Sequence, residues 1–484
     1  MTSIEHLNPA AQAAEVALTS QPVEGAHVHM RNTQALCPEC LKALPAEVFH
    51  DEQGRVWMER TCPEHGSFTT YCWPDYLNYE HLRSFELPET RPAHTFPVSA
   101  DCPRSCGLCA RHRRKVTLAE IEVTMRCNMR CPVCFMAADD IAPDPSLASM
   151  GQFLDTVAAE CGTDTGLQLT GGEPTVRDDL WQIVELAREK GFWGVEVNTN
   201  GLRIATEEGY LEKLVGAGLT GVYLQFDGFN DDAYQSIRGR PMADLKRRVV
   251  ERCREVGVQV VLAMTVVSGS NDDQLGPALR FSLENSDVVA GLALQPAFTS
   301  GRFTARRATP LTMGDVIKLL AEQSDGLIEP DDIWPLGMSP ALCDTGTFMI
   351  RDEDGSWIPA TRKLTREQYQ ESFNVDAPQG SAFADVLAQY GVDVAGGLSI
   401  IIMNYMDAVS MDLERLQGCS MLCATADGRM IPFCSYQLTD LDGHRLYPTW
   451  GIQDPSALAQ VTEKGAAPDS VGSPAAGEQP ASEE

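Results

Sequence analysis

The sequence predicts an α/β protein built around a partial (β/α)6 barrel of the TIM type, with a small metal-binding module before it and a cysteine-containing region after it. Three observations predict this arrangement. The central part of the chain alternates between strand-like and helix-like runs. Sixteen cysteines are present, and most of them fall into short clusters. The chain has 484 residues, 43% of them hydrophobic, which permits more than one domain and a sizeable core.

Composition and motif positions divide the chain into six predicted segments. Residues 1–28 are rich in Ala, Glu and Gln without periodicity, and residues 456–484 are rich in Ala, Gly, Pro, Ser and Glu. Both predict disordered tails, the second of them acidic. The remaining segments are the metal-binding module, a second cysteine segment, the barrel and the C-terminal cysteine region, at residues 29–85, 86–115, 116–310 and 311–450.

Charge and hydropathy argue against two classes of protein. The net charge is −30, whereas a nucleic-acid-binding protein needs a basic face. The N-terminus lacks the basic stretch and apolar block of a signal peptide, and no apolar run has the length of a membrane span. The longest apolar run, LSIIIMNYM (398–406), predicts a core strand or helix. We therefore expect a cytoplasmic protein whose clustered cysteines bind metal rather than form disulfides.

The first cysteine cluster predicts a metal site made of two short turns joined by a hairpin. The turns CPEC and CPEHG each carry a metal-ligand atom at the first and fourth positions: Cys37 and Cys40, then Cys62 and His65. The intervening VFHDEQGRVWMERT (48–61) has turn residues between strand formers. This pattern is typical of a zinc-ribbon or rubredoxin-like site with one zinc or iron ion. Cys72 is the alternative fourth ligand, and an all-sulfur set would suit iron better.

The barrel prediction rests on strand-like runs separated by helical patterns. Two of those patterns, RDDLWQIVELAREKG (177–191) and ADLKRRVVERCREVG (243–257), end at a glycine, as helices often do. Such alternation predicts a parallel sheet, closed or partly closed, with its chemistry at the carboxyl ends of the strands. A doubly wound open sheet is the alternative. The six runs are IEVTM (121–125), GLQLT (166–170), GVEVNTN (194–200), GVYLQFD (221–227), VQVVLAMTVV (258–267) and VAGLALQPAF (289–298).

Two motifs stand at the ends of the first two predicted strands. Cys127, Cys131 and Cys134 follow the first predicted strand with the spacing C-x3-C-x2-C. Three thiolates can hold three corners of a [4Fe–4S] cube and leave one iron open. The second strand ends in TGGEP (170–174). Its glycines allow close approach of a ligand to the backbone, and Glu173 offers a carboxylate to an ammonium group.

With these two motifs the chain resembles the radical S-adenosylmethionine (SAM) superfamily. The resemblance implies that the open iron binds the amino and carboxylate groups of SAM, whose reductive cleavage yields a 5′-deoxyadenosyl radical. It implies that Gly171, Gly172 and Glu173 hold the methionine amino group, and that Pro174 of the same run also contacts the cofactor. Asn198, Asn200, Asp227 and Gln295 are either contacts to ribose, adenine or substrate, or ordinary strand-end polar residues.

Two further cysteine groups predict auxiliary clusters. Cys102, Cys106 and Cys109 repeat the C-x3-C-x2-C spacing without a preceding strand or a matching GGEP run. We therefore expect an auxiliary [4Fe–4S] cluster there, with Cys72 or His112 as the fourth ligand. The late cysteines predict a second auxiliary cluster, which brings the expected number of [4Fe–4S] clusters to about three. These late cysteines are Cys343, Cys419, Cys423 and Cys434.

A narrower resemblance extends from Cys37 to Tyr436 and includes LTGGEPTVRDDL, LQFDG, QPAFTSGR and DGRMIPFC. The chain resembles the radical SAM family that contains archaeal tetraether lipid synthase and pterin dimethyltransferase. This resemblance implies carbon–carbon bond formation at an unactivated carbon, in the first interpretation between lipid alkyl chains, with peripheral membrane contact. The alternative is methylation of a pterin-like or other small molecule. Either activity implies a flavodoxin- or ferredoxin-type electron donor. The GGEP run argues against a non-catalytic electron carrier, and the sequence indicates no oligomeric state.

Overall fold

The computed structural model describes residues 18–19, 25, 27–92, 102–138, 143–303, 310–373, 387–448 and 450. The predicted C-terminal tail and most of the N-terminal one lie outside these residues, as do residues 93–101 of the second cysteine segment. Within the predicted N-terminal tail, Leu18–Thr19 forms a short strand that pairs with a later strand of the metal-binding module. The predicted boundary of that tail therefore differs from the structure at this point.

The N-terminal module is a five-stranded antiparallel sheet followed by one helix. The sheet order is β1-β5-β4-β3-β2. The predicted hairpin is confirmed as β3–β4. Its turn is held by Asp51, whose carboxylate accepts hydrogen bonds from the backbone amides of Gln53 and Arg55, both at 2.9 Å. The elements are β1 (Leu18–Thr19), β2 (Val28–Leu36), β3 (Ala43–His50), β4 (Val56–Cys62), β5 (Gly66–Trp73) and α1 (Tyr76–Arg83).

The central part is a curved parallel sheet, and all six predicted strands are present. They pair in the order β6-β8-β9-β10-β11-β12, each parallel to its neighbours. A two-stranded ribbon, β7 with β13, lies beside their carboxyl ends. The strands are β6 (Leu118–Thr124), β7 (Val133–Cys134), β8 (Gly166–Gly171), β9 (Val195–Thr199), β10 (Gly221–Gln225), β11 (Gln259–Val266), β12 (Val289–Pro296) and β13 (Arg302–Phe303).

Helices cover the outer face of this sheet and the C-terminal region. Two helices that were predicted from sequence correspond to α3 and α7, and α7 ends at Gly257 in the left-handed region (φ 76°). The helices are α2 (Leu147–Cys161), α3 (Leu180–Glu189), α4 (Leu202–Thr206), α5 (Tyr210–Gly216), α6 (Asp231–Arg238), α7 (Ala243–Val256), α8 (Leu275–Glu284), α9 (Met313–Gln323), α10 (Arg366–Glu371), α11 (Leu413–Leu416) and α12 (Phe433–Tyr436), with 3-10 turns at Pro174–Val176, Pro330–Asp332 and Ala360–Lys363.

The C-terminal region adds a strand to each edge of the central sheet. β17 pairs parallel with β12, and β18 pairs parallel with β6. LSIIIMNYM is therefore a core strand: Leu398, Ile400 and Ile402 are fully buried on alternate positions. The two outer edges are extended by antiparallel strands, so the barrel is partial. These strands are β14 (Trp334–Pro335), β15 (Asp344–Arg351), β16 (Trp357–Pro359), β17 (Leu398–Met403), β18 (Met421–Ala424) and β19 (Met430–Pro432).

The interior of the partial barrel is polar, unlike the branched apolar interior typical of a TIM barrel. Alternate residues of β8 and β9 point outward as core leucines and valines and inward as amides and a carboxylate. Gln168 donates a hydrogen bond to Glu196 at 3.0 Å and accepts one from Asn198 at 3.2 Å. A buried polar lining of this kind suits a polar ligand better than an apolar chain.

Membrane-spanning helices are not found in the part of the chain that the structure describes.

Candidate active site and metal centres

The loop that follows β6 carries three cysteines into one large cavity at the carboxyl ends of the parallel strands. The cavity, with the solvent at its mouth, has about 1120 Å³ of empty volume. Its position is the one expected for an active site in a parallel barrel. Nine of the residues singled out in the sequence line it: Cys127, Cys131, Cys134, Gly171, Gly172, Glu173, Asn198, Asn200 and Gln295.

The two glycines of the GGEP run allow the end of β8 to pack directly against the backbone that leads into the cysteine loop. A Cβ atom on Gly172 would lie 2.3 Å from the carbonyl oxygen of Arg126, and one on Gly171 would lie 2.1 Å from that of Thr124. The backbone amide of Gly172 donates to the Thr124 carbonyl at 2.8 Å, and that of Glu173 donates to the Arg126 carbonyl at 2.9 Å. The sequence predicted close approach of a ligand to the glycines, but here the cysteine loop itself makes the close approach.

Glu173 ties the end of β8 to the end of β9. Its carboxylate is almost fully buried. One oxygen accepts from the hydroxyls of Thr175 and Thr199 at 2.5 and 2.6 Å, and the other accepts from the backbone amide of Asn200 at 2.7 Å. The second oxygen therefore accepts one hydrogen bond from the described residues and keeps a lone pair for a further donor. Pro174 does not line the cavity; it begins the 3-10 turn Pro174–Val176, which corrects its assignment as a cofactor contact.

Asn198, a residue of the cavity lining, leaves one acceptor without a partner. Its side-chain amide donates to Gln168, but its Oδ1 atom is buried and has no hydrogen-bond partner among the described residues. A buried acceptor of this kind costs about 1–3 kcal/mol unless a ligand satisfies it. It therefore fits an ammonium, hydroxyl or N–H group of a bound molecule.

Asp227 is not a cavity contact, which corrects its assignment from the sequence. It is fully buried, and Arg238 donates to its two carboxylate oxygens at 2.6 and 3.0 Å. The same guanidinium lines the cavity and donates to the carbonyl of Val133 at 3.0 Å. Arg238 was missed in the sequence because an arginine at the end of an amphipathic helix is typical of a solvated surface.

Burial and one nearby guanidinium act on the thiols of the cysteine loop. Burial raises the pKa of the Cys127 thiol to about 12 and raises that of Cys131 as well, although the Arg238 guanidinium opposes the second shift. A bound metal cluster favours the thiolates over the thiols. The donor set therefore fits a metal cluster, with one positive side chain beside it.

Lys246 is a second buried cation that the sequence did not indicate. It lies in the basic run of α7, but its ammonium is fully buried and donates to the Asn200 carbonyl at 2.6 Å and to Gln225 at 2.8 Å. Burial lowers its pKa to about 7. It fixes the backbone of Asn200, which lines the cavity.

Aromatic side chains form one wall of the cavity. Phe135, which follows the third cysteine, stacks on Phe298 with ring centroids 5.7 Å apart and planes 26° apart. Tyr405 and Phe433 do not line the cavity but pack against this pair. The ring centroids of Phe298 and Tyr405 are 5.4 Å apart, and those of Tyr405 and Phe433 are 4.7 Å apart. Also in the lining, Gln295 donates to the Tyr223 hydroxyl at 2.6 Å. The cavity thus combines an aromatic wall with amide and hydroxyl groups.

The metal-binding module brings together its predicted ligands. The ligand atoms of Cys37, Cys40, Cys62 and His65 all lie within 4.8 Å of one another. The Nδ1 atom of His65 is 3.5 Å from the Cys37 sulfur and 3.4 Å from the Cys62 sulfur. This spacing fits a single tetrahedral ion.

Cys72 is not part of that group, which corrects its inclusion among the metal ligands. It lines a different cavity with Arg31, Tyr79 and Arg415. Its sulfur donates weakly to the Thr70 carbonyl, and burial raises its pKa to about 11. The reason is strand geometry: Cys72 lies near the far end of β5, whereas the ligand turns meet at the end where β4 passes into β5.

The second three-cysteine group also lines one cavity. Cys102, Cys106 and Cys109 share it with His112. Contact with the Cys102 thiol, together with burial, raises the pKa of Cys106. Cys72 is absent from this cavity too, so His112 is the alternative that the structure favours at this position.

Three of the four late cysteines lie together. Burial is the main cause that raises the pKa of the Cys419 thiol, and the nearby thiols of Cys434 and Cys343 raise it further. Cys423 departs from the prediction, because its thiol donates to the Glu120 carboxylate in the barrel interior, at 3.9 Å. It lies on β18 directly beside Glu120 on β6, with both side chains on the inner face. Sequence spacing alone could not show which way this strand residue points.

Comparisons with known proteins agree with this geometry. The radical SAM superfamily matches residues 121–282, and the HMPTM N-terminal zinc ribbon domain matches residues 29–74. The 7,8-dihydro-6-hydroxymethylpterin dimethyltransferase of Methanocaldococcus jannaschii is 32% identical over 472 residues, which cover 84% of this chain and 93% of that protein. The chain belongs to the radical SAM family of this pterin dimethyltransferase. The predicted fold class, superfamily and enzyme class are thereby confirmed.

This radical SAM enzyme also has more distant relatives. The probable GTP 3′,8-cyclase of Methanothermobacter thermautotrophicus is 29% identical over 180 residues, covering 37% of this chain and 58% of that protein. Among solved structures, Streptococcus suis SuiB bound to S-adenosylmethionine superposes with a TM-score of 0.38 and 16% identity, covering 44% of this chain and 48% of that chain. Membership of the superfamily implies a [4Fe–4S] cluster and SAM as cofactors, and the zinc ribbon is a metal-binding module.

Proposed function

We propose that this radical SAM enzyme is a methyltransferase that acts on a pterin-like heterocycle. The observation that carries the proposal is the similarity to the pterin dimethyltransferase over 93% of that protein's length. The match of residues 29–74 to the HMPTM N-terminal zinc ribbon domain supports it. The methylation alternative raised by the sequence is therefore preferred to the coupling of lipid chains.

Cys127, Cys131 and Cys134 are the residues that would hold the active cluster. Glu173 and Asn198 line the same cavity. The remaining lone pair of the Glu173 carboxylate and the unpartnered Oδ1 atom of Asn198 suit N–H and O–H donors of the cofactor or substrate. Bound there, the cluster and SAM supply the radical that removes a hydrogen atom from a substrate carbon. The protein's own contribution is to hold both molecules in a cavity with one open side.

The lining of the cavity suits a flat polar ring. The stacked pair Phe135 and Phe298 offers a wall for an aromatic heterocycle. The amides of Asn198 and Gln295 and the hydroxyl of Tyr223 offer both donors and acceptors to ring nitrogens and carbonyls. None of residues 398–406 lines this cavity, since that run is core strand β17 with the turn that follows. Lipid coupling has no comparable support.

We also propose the metal complement that accompanies this function. Cys37, Cys40, Cys62 and His65 would hold one zinc or iron ion, and the groups at Cys102–Cys109 and Cys343–Cys434 would hold two auxiliary [4Fe–4S] clusters. A flavodoxin- or ferredoxin-type protein is the proposed electron donor. With three clusters, anaerobically reconstituted protein should contain about twelve cluster irons per chain. Iron sufficient for one cluster would contradict the auxiliary assignments.

Product analysis tests the proposed function. We expect reconstituted enzyme, given methyl-labelled SAM, reductant and 7,8-dihydro-6-hydroxymethylpterin, to yield a pterin heavier by one or two methyl groups, together with 5′-deoxyadenosine. A parallel reaction with a second labelled one-carbon donor identifies the source of the methyl carbon. If the pterin is unchanged and supplied lipid chains become coupled, the proposed methyltransferase function is wrong and the enzyme couples lipid chains.

The control for this experiment is Cys127→Ala. It removes one of the three thiolates of the active site and should abolish SAM cleavage. Retained cleavage would move the active cluster to Cys102, Cys106 and Cys109.

A further inference from the structure

His112 carries a ring nitrogen that needs a partner. The side chain is 3% exposed and lines the cavity of Cys102, Cys106 and Cys109. Its Nε2 atom is buried and, among the described residues, has no hydrogen-bond partner. Leaving a buried polar atom unsatisfied costs about 1–3 kcal/mol. Such an atom beside three thiols fits a metal ligand.

The backbone carbonyl of Cys419 is the polar group that acts on the His112 ring. It opposes the effect of burial, which lowers the pKa of the imidazole. Histidines that bind metals almost always donate their second ring N–H to a carbonyl, carboxylate or water, which fixes the tautomer and aims the free lone pair. The Cys419 carbonyl is the acceptor that the Nδ1–H group of a metal-bound His112 would use.

The backbone holds this imidazole in place on two sides. The amide of His112 donates to the Cys109 carbonyl at 2.8 Å, so the chain turns back beside the third cysteine. The next amide, that of Arg113, donates to the Gln417 carbonyl at 2.8 Å, and its guanidinium donates to the Glu414 carbonyl at 2.7 Å. These bonds fix the backbone that carries the ring between the cysteine turn and the segment that leads to Cys419.

We propose that His112 Nε2 is the fourth ligand of an auxiliary [4Fe–4S] cluster held by Cys102, Cys106 and Cys109. The inference rests on the auxiliary cluster included in the proposed function, and it selects His112 over Cys72 as the ligand. Such a cluster has no open iron, so it cannot bind SAM although its cysteine spacing equals that of the active site. The His112 ring also lies near the backbone carbonyl of Cys419, a proposed ligand of the second auxiliary cluster.

A histidine ligand has measurable consequences. A neutral imidazole in place of an anionic thiolate makes the cluster less negative, and histidine ligation raises the reduction potential of iron–sulfur centres. A nitrogen nucleus bound to iron also gives a hyperfine coupling in pulsed electron paramagnetic resonance. Both properties can be measured without turnover.

The test uses full-length protein with Cys127, Cys131 and Cys134 all changed to Ala, so that the active cluster is absent. Reconstituted without SAM, this protein should bind about eight irons in two cubane clusters, beside any iron in the zinc ribbon. The reduced protein should show a strong nitrogen coupling. Adding His112→Cys should keep the iron, abolish that coupling and shift one midpoint potential to a more negative value.

Two control variants separate His112 from its alternatives. Cys72→Ser should change neither the iron content nor the nitrogen coupling. His81→Gln removes a half-buried histidine whose buried Nε2 atom also lacks a partner among the described residues but which packs edge-on against Phe85. This variant should also leave the spectrum unchanged. A coupling that persists in His112→Cys, or that disappears in Cys72→Ser, would overturn the proposed ligand.

Failure of the wider assignment gives a different result. If the protein without the active cluster binds only about four irons or fewer, the auxiliary clusters themselves are wrong, and the ligand proposal falls with them. If about eight irons are present but the nitrogen coupling is absent, only the role of His112 is wrong.

Discussion

Single residues around the cysteine loop are held by buried charges. Asp227 is fully buried, and the side chain of its partner Arg238 is 9% exposed. Arg238 in turn reaches the Val133 carbonyl, between the second and third cysteines. The pair therefore holds the cysteine loop in place relative to the end of strand β10. Asp227 acts through Arg238 and does not contact a ligand.

Asp227→Ala should destabilise the protein by about 3–5 kcal/mol, because it leaves the Arg238 guanidinium buried without a counter-charge. Retention of the active cluster should fall with it. Anaerobic urea denaturation and iron analysis measure the two effects. The matched control is Asp244→Ala, which breaks an exposed pair with Arg247 and should cost less than about 1 kcal/mol. Equal effects of the two variants would contradict the role assigned to Asp227.

At the scale of elements, two contacts position the active site: the GGEP run against the cysteine loop, and β18 against β6. The first depends on the absence of side chains at Gly171 and Gly172, as the short Cβ distances show. The second brings Cys423 and Glu120 together in the barrel interior. Each contact joins elements that are far apart in sequence or separated by a helix.

Gly172→Ala should impair SAM cleavage by about 100-fold, since the new methyl would displace the cysteine loop and misplaced reacting groups lose rate on that order. The measurement is 5′-deoxyadenosine formation together with iron content. Gly194→Ala is the control, because a Cβ atom there meets nothing within 4 Å. Full activity of Gly172→Ala would show that the loop does not need this close packing.

Glu120→Gln should make stability less dependent on pH. Burial, assisted by Glu122, raises the pKa of Glu120 to about 8 from 4.5. The folded protein therefore keeps a proton that the unfolded chain releases above pH 4.5, so this group's contribution to stability decreases as the pH rises toward 8. Relative to the variant, the wild type should lose about 1 kcal/mol per pH unit between pH 6 and 8. Thermal unfolding across that range provides the measurement, and a constant difference would contradict the shifted pKa.

At the scale of the whole molecule, the N-terminal module is fixed to the C-terminal region rather than to the central strands. Asp412 accepts hydrogen bonds from Arg31 at 2.5 Å and from Thr33 at 2.8 Å, and also from the amide of Glu414 at the start of α11. Arg60, buried in the module, donates to the Val409 carbonyl at 2.7 Å. The same C-terminal region supplies Cys419 and both edge strands of the barrel.

Asp412→Ala should loosen the module and cost about 3–5 kcal/mol, because Arg31 then loses the buried carboxylate that faces it. Limited proteolysis should release the module faster than from the wild type. Glu414→Ala removes the second, half-exposed partner of Arg31 and should cost less than about 1 kcal/mol. Unchanged protease resistance in Asp412→Ala would show that the module is held elsewhere.

The sequence by itself determined the strands of the barrel, the two short turns of the metal module and the cysteines after the first strand. These features depend on local patterns: hydrophobic periodicity, turn residues and ligand spacing. Close spacing makes Cys37, Cys40, Cys62 and His65 neighbours almost independently of the rest of the fold. The same holds for the position of GGEP at the end of its strand.

Only the tertiary structure decided which distant groups meet. It separated Cys72 from the metal turns, turned Cys423 toward Glu120, and buried Arg238 although its sequence context is typical of a surface. It also placed His112 between Cys109 and the carbonyl of Cys419. The physical reason is that burial and long-range hydrogen bonding depend on how β17, β18 and the segment at 412–419 pack, and no local pattern encodes the partners of that packing.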